Sequence, residues 1–124
     1  MLEKPHKKLD VWQKSIVLVK TIYDITRSLP KTEEYGLINQ MRRAAVSIPA
    51  NIAEGAARQT NKEFIQFLHM AQGSLSELDT HCEVSLRLDY LQEDNLYGLS
   101  TLMSDIDKML TGLIKSLKTV SRKS

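Results

Sequence analysis

The chain has 124 residues, 42% hydrophobic and 26% charged, with five glycines and three prolines, as in one soluble domain with a single core. A net charge of +2 is too small to announce a nucleic-acid binder by itself, and the longest apolar runs are too short to cross a membrane. The one cysteine, Cys82, allows no internal disulfide and suits a reducing cytoplasm.

The opening MLEKPHKKLD has no apolar segment behind its charges, so a cytoplasmic protein without a signal peptide is expected. The first helix is expected over about residues 10–29. Asp10 can cap it, with Gln13 three residues on as in a capping box. Trp12, Ile16, Val19 and Tyr23 make one apolar stripe; Val11, Leu18, Ile22, Ile25 and Leu29 make a second. An arc that wide covers more than one neighbour. Pro30 stops the helix, because the residue before a proline is pushed out of the helical region.

A second helix is expected over about 33–58, with Glu33 and Glu34 placed to complement its dipole. Leu37, Met41, Ala44, Ile48 and Ile52 mark its core face. Thr60-Asn61-Lys62-Glu63 is a capping box for a third helix over 61–90, with a stripe of Phe64, Leu68, Ala71, Leu75, Leu78 and Cys82. After a turn, a fourth helix over 94–121 repeats Leu96, Leu99, Met103, Ile106, Leu110, Leu113, Leu117 and Val120. That alternation of three and four is a coiled-coil seam, which Leu102, Met109 and Ile114 widen.

No segment reads as a strand, a linker or a repeat. Short connections force neighbours antiparallel, so the expected fold is all-α, an up-down-up-down four-helix bundle, with one domain over 1–124. Helices one and four carry more apolar surface than one partner needs, which predicts self-association.

Charge is unevenly spread. Lys4, Lys7 and Lys8 open the chain against Glu3, and Lys115, Lys118, Arg122 and Lys123 close it without an acid. Residues 61–92 carry two bases against five acids. Basic ends and an acidic middle make a one-sided positive surface possible; ordinary solvated tails would read the same.

The stretch RRAAVSIPANIAEGAAR, residues 42–58, places a proline inside a helix. Pro49 removes a donor and crowds the carbonyl of Ala45, at about 3 kcal/mol. Apolar spacing stays in phase from Ile48 to Ile52, which favours one helix kinked at Pro49 over a break. With Ala57 near Asn61, antiparallel partners on helices two and three sum to about 118. Ala45 then faces Gly73, and Arg42 and Arg43 oppose Glu77 and Asp79. Arg42, Pro49, Asn51, Glu54, Gly55, Gly73 and Glu77 are thus expected to form a packing device. Arginines would pair with acids, Asn51 and Glu54 would serve disturbed backbone, and Gly55 would permit close packing or the turn.

The same stretch, with FIQFLHMAQGSLSELDTHCE downstream, resembles the signature of the four-helix-bundle proteins encoded in intervening sequences of 23S ribosomal RNA. The accessory variability proteins of diversity-generating retroelements are similar. The matching residues are Leu9, Trp12, Tyr35-Gly36-Leu37, Gln40, Arg42-Arg43-Ala44, Ser47 through Gly55, Arg58, Gly73-Ser74 and Glu77-Leu78, over roughly 7–120. The resemblance implies a four-helix bundle that forms a homopentamer. In the retroelement branch it also implies a basic ring that binds RNA and the reverse transcriptase.

Enzyme readings fail singly. A di-metal bundle needs two Glu-x-x-His pairs on facing helices, and none of the four expected helices carries one. Glu77 and His81 stand one turn apart, but zinc wants at least three protein ligands, so no metal site is expected. His6, His69 and His81 lack the arginine five to seven positions earlier that helical-bundle ribonucleases carry. Cys82 lies on an apolar stripe and reads as inert core. There is no glycine-rich phosphate loop, and Ser47 has no histidine close by in sequence. No catalytic residue and no cofactor are expected.

For nucleic acid, the mechanism would be salt-dependent phosphate contact multiplied by a symmetric ring. The best candidates are Lys7, Lys8, Arg43, Arg58 and Lys62, with Lys115, Lys118, Arg122 and Lys123 in reserve. The expected function is a non-enzymatic homo-oligomeric module for RNA or an RNA-linked protein. The alternative is a scaffold oligomer with no nucleic-acid role.

Overall fold

The computed structural model describes residues 1–120, and Arg122 and Lys123 lie outside them. Four helices make up the chain: α1 (Asp10–Thr26), α2 (Leu37–Ala56), α3 (Asn61–Arg87) and α4 (Glu93–Thr119). Short 3₁₀ turns over Pro5–Lys8 and Lys31–Glu33 precede α1 and α2, and no strand occurs among the described residues.

The helix ends show which local chemistry won. Leu9, not Asp10, occupies the cap of α1, and Asp10 is the first helical residue. The Gln13 side chain is drawn away to donate to the Lys7 carbonyl at 2.8 Å. At the other end α1 stops at Thr26, earlier than 29. The amides of Ser28 and Leu29 turn back onto the Ile25 and Thr26 carbonyls, tightening the chain before Pro30.

α2 starts at Leu37 rather than 33, because the 3₁₀ turn uses up the acidic residues first. Glu33 still serves the helix: its carboxylate accepts the Leu37 N–H at 3.2 Å and the Tyr90 hydroxyl at 3.2 Å. α2 then runs through Pro49 as one helix. Beside the proline, the Ser47 hydroxyl donates to the Ala44 carbonyl at 2.9 Å and the Asn51 amide to the Ser47 carbonyl at 2.8 Å.

Thr60 caps α3: its hydroxyl accepts the Glu63 N–H at 3.1 Å and donates to the Glu63 carboxylate at 2.9 Å. α3 ends at Arg87, three residues short of 90. Asp89 takes the left-handed conformation (φ 62°), while the amides of Asp89 and Tyr90 return to the Leu86 and Ser85 carbonyls. That is a Schellman closure made without glycine, which aspartate tolerates. α4 opens on a reciprocal Gln92–Asn95 cap.

Leu18, Ile22, Met41, Ile48, Ile52, Leu68, Leu78, Ile106 and Leu110 are fully buried and form the core. The second stripe of α1 faces it, while Ile16 and Tyr23 of the first stripe are exposed. On α4 the buried line follows Leu99, Met103, Ile106 and Leu110, then passes to Ile114, leaving Val120 exposed. A straight helix drifts about 20° per heptad, so a strict seam cannot stay buried to its end.

Cross-helix bonds fix the packing direction of α3 and α4. Asn61 at the start of α3 donates to Leu117 and Val120 at the end of α4, and Gln72 donates to Thr111. Advancing along α3 therefore means retreating along α4. Gly55 near the end of α2 meets Phe64 and Phe67 near the start of α3, and Ser85 reaches Met41. Lys14 of α1 pairs with Asp105 of α4 at 3.5 Å.

Candidate nucleic-acid interface

With short connections, the start of α1, the end of α2, the start of α3 and the end of α4 meet at one end of the bundle. The basic tracts at both ends of the chain thus come together with the basic turn between α2 and α3. Lys7 and Lys8 sit in the 3₁₀ turn that packs on α1 and α2. Lys7 is tied in place twice: its ammonium donates to the Leu2 carbonyl, and its own carbonyl accepts from Gln13. The His6 ring meets the Trp12 ring edge-on at 5.2 Å.

Arg58, just past α2, pairs with Glu54 at 3.3 Å and lies 4.8 Å over the Phe67 ring. The residue is exposed, so the pair contributes less than about 1 kcal/mol, little enough for a competing anion to take the guanidinium from Glu54. Lys62 and Lys118 flank one concavity of about 610 Å³, whose wall includes Ile65, Gln66 and Leu117. At its base lies Asn61, 4% exposed. Its amide donates to the carbonyls of Leu117 at 3.1 Å and Val120 at 2.5 Å, capping α4 from the neighbouring helix. Its Oδ1 has no partner among the described residues. Lys115 stands one turn before Lys118.

Over residues 1–10, 54–63 and 115–120, seven bases stand against four acids. The opposite end, residues 24–37 and 83–94, reverses this with three bases against seven acids. The bundle is a charged rod with a basic pole, and four of the five first-choice bases lie there.

Arg43 is the exception, about 20 Å along α2 from Arg58 by the helical rise. The packing motif also divides differently from expectation. Arg42 does not reach Glu77 or Asp79. It turns to α1, where Nε–H donates to the Thr26 hydroxyl at 2.9 Å and a terminal N–H to the Tyr23 carbonyl at 3.3 Å. Glu77 bonds His81 at 3.2 Å, and Glu54 bonds Arg58 rather than backbone. Gly73 is exposed and a Cβ there would meet nothing within 4 Å, so it makes no small-residue contact with Ala45. The close approach is at Gly55, where a Cβ would stand 2.7 Å from Phe67 Cβ. A sum of 118 misplaced the helical phase, since the observed partners sum a few residues higher.

Burial pushes the Cys82 thiol up to about 12, and the charges of Asp79 and Glu83 add to the shift. It is a protonated core residue at neutral pH. Among the described residues no three His, Cys, Asp or Glu side chains gather as a metal site, and no helix is long and apolar enough to span a membrane.

The family profile of 23S rRNA-intervening sequence proteins matches residues 7–112. The chain belongs to that family. A solved structure of a protein of unknown function from the S23 ribosomal protein family of Bacteroides thetaiotaomicron has the same fold, with a TM-score of 0.78. Its 26% identity extends over 85% of this intervening-sequence protein and 98% of the Bacteroides chain. No curated protein matches it. The family profile takes in Lys7, Lys8, Arg43, Arg58 and Lys62, whereas Lys115 and Lys118 lie beyond its last matched residue.

Proposed function

We propose that this intervening-sequence protein is a non-enzymatic, homo-oligomeric cytoplasmic module that holds RNA, or an RNA-bound protein such as a reverse transcriptase, against its basic pole. The observation that carries the reading is the convergence of Lys7, Lys8, Arg58, Lys62, Lys115 and Lys118 at one end of a bundle whose other end is acidic. These bases sit on different elements and face phosphates as point charges, so binding is indifferent to sequence. One subunit offers few contacts. A ring, pentameric as the family resemblance implies, repeats the pole and multiplies its effect.

The test is RNA binding in a salt series. Single-stranded RNA should bind with a steep loss of affinity as salt rises. The double variant Lys62→Gln, Lys118→Gln should lower the log–log slope by about 1.4 for each subunit that contacts the strand, at about 0.7 per phosphate contact. No binding even near 50 mM salt sinks this reading. A scaffold oligomer without nucleic acid is the second reading, favoured by exposed Val17, Met70, Val84 and Leu88, which ask for a protein neighbour.

A further inference from the structure

The groove between α1 and α2 holds charge that the basic pole does not use. Arg42 is half-buried and held from three directions. It donates to the Thr26 hydroxyl and the Tyr23 carbonyl, and its guanidinium lies 4.4 Å over the Tyr23 ring. Thr26 is fully buried, and its hydroxyl is fixed in turn on the Ile22 carbonyl at 2.7 Å. All of these partners are neutral. They orient the guanidinium without neutralising it, and they leave the rest of its five-donor fork unused.

Among the described residues neither Arg42 nor Arg43 has a carboxylate partner. Both line one concavity of about 590 Å³ together with Tyr23, Asn39 and Ser47, over an apolar wall of Ile38 and Val46. Arg43 is exposed and also lines the next groove, whose lining includes Glu77, so it stands on the ridge between the two. Glu34 is the single acid on the lining of the Arg42 groove.

We propose that the α1–α2 groove binds a phosphomonoester dianion, with Arg42 as a fixed fork, Arg43 as the closing cation and Asn39 as a neutral donor. A carboxylate has one charge and two oxygens, which one guanidinium satisfies. Two adjacent guanidiniums match a dianion with three terminal oxygens. Arg42 is immobilised before the ligand arrives, so only Arg43 has ordering left to lose. The phosphomonoester comes either from a free small molecule or from the 5′ end of an RNA strand. The site is independent of the basic pole.

Inorganic phosphate at pH 7.5 is the first probe, titrated against chloride at equal ionic strength while the Arg42 Nε–H resonance of the full chain is followed by NMR. Saturable binding is expected. Exposed Arg43→Gln should weaken it about tenfold, and Glu34→Gln should tighten it several-fold. A shift that does not saturate, or one that Arg43→Gln leaves unchanged, overturns the proposal. The second arm uses the Lys62→Gln, Lys118→Gln background, which weakens backbone binding at the pole. There, a tenfold preference for a 5′-phosphorylated over a 5′-hydroxyl oligonucleotide assigns the RNA end. Equal affinities beside saturable phosphate binding assign a free phosphorylated compound.

Discussion

Gly55 and Gly73 separate what a residue type can announce from what its neighbours decide. Both read as places where helices approach, and only Gly55 is one: an added Cβ would stand 2.7 Å from Phe67 Cβ and 3.2 Å from the Phe64 carbonyl. Overpacking costs about 1–3 kcal/mol, more than the 0.5–1 kcal/mol or so that alanine gains in a helix. Gly55→Ala should therefore lower the melting temperature by several degrees. Gly73→Ala has open space and should raise it by a few degrees. A fall for Gly73→Ala in thermal denaturation would place that face against another subunit. Cys82 was legible as core from its stripe alone. Its folded-state thiol, near 12, loses its proton well after the unfolded chain's, near 9. Below pH 9 the stabilisation is fully present, and it is lost as pH rises from 9 toward 12, with a slope of up to about 1.4 kcal/mol per unit. Urea titrations between pH 7.5 and 10.5 should show this alkaline slope in the native chain and a shallower one in Cys82→Ala.

At the scale of elements, periodicity gave the helices and capping chemistry gave some of their ends. Thr60 with Glu63 was readable because both partners of the cap lie within one turn. Thr60→Ala should cost about 1 kcal/mol, seen as a lower urea midpoint with unchanged slope. The start of α1 was not readable, since the 3₁₀ turn before it recruits Gln13 to the Lys7 carbonyl. Neither was the end of α3, where an aspartate does a glycine's work. Asn61 was hidden for another reason. Its partners, Leu117 and Val120, are more than fifty residues away, and sequence spacing carries no trace of such a contact. The direction of Arg42 was missed likewise, since its fully buried acceptor Thr26 lies 16 residues away on another helix.

The whole molecule turns a patchy charge pattern into a dipolar body. Basic chain ends were visible in the sequence, but their meeting with Arg58 and Lys62 depends on four helices returning the chain to the same end. The apolar surplus predicted for α1 leaves Ile16 at 43% exposure, with Val17 beside it at 54%, whereas the surplus predicted for α4, Leu102, Met109 and Ile114, packs against the chain's own core. On α3, Met70 and Val84 recur two heptads apart with Gly73 between them. A lone chain has no use for such surface; the proposed ring would cover it and set several basic poles side by side. Val17→Glu separates the two levels. On an exposed site it should change subunit stability by no more than about 0.5 kcal/mol. In an interface it buries a charge and should disperse the oligomer, which light scattering reads directly. If the poles act together, the dispersed variant should lose RNA affinity by a hundredfold or more while every phosphate-contacting base remains in place. Retained affinity in a dispersed Val17→Glu variant would mean that one subunit's pole suffices. A native chain that scatters as a monomer at all concentrations would remove the ring itself.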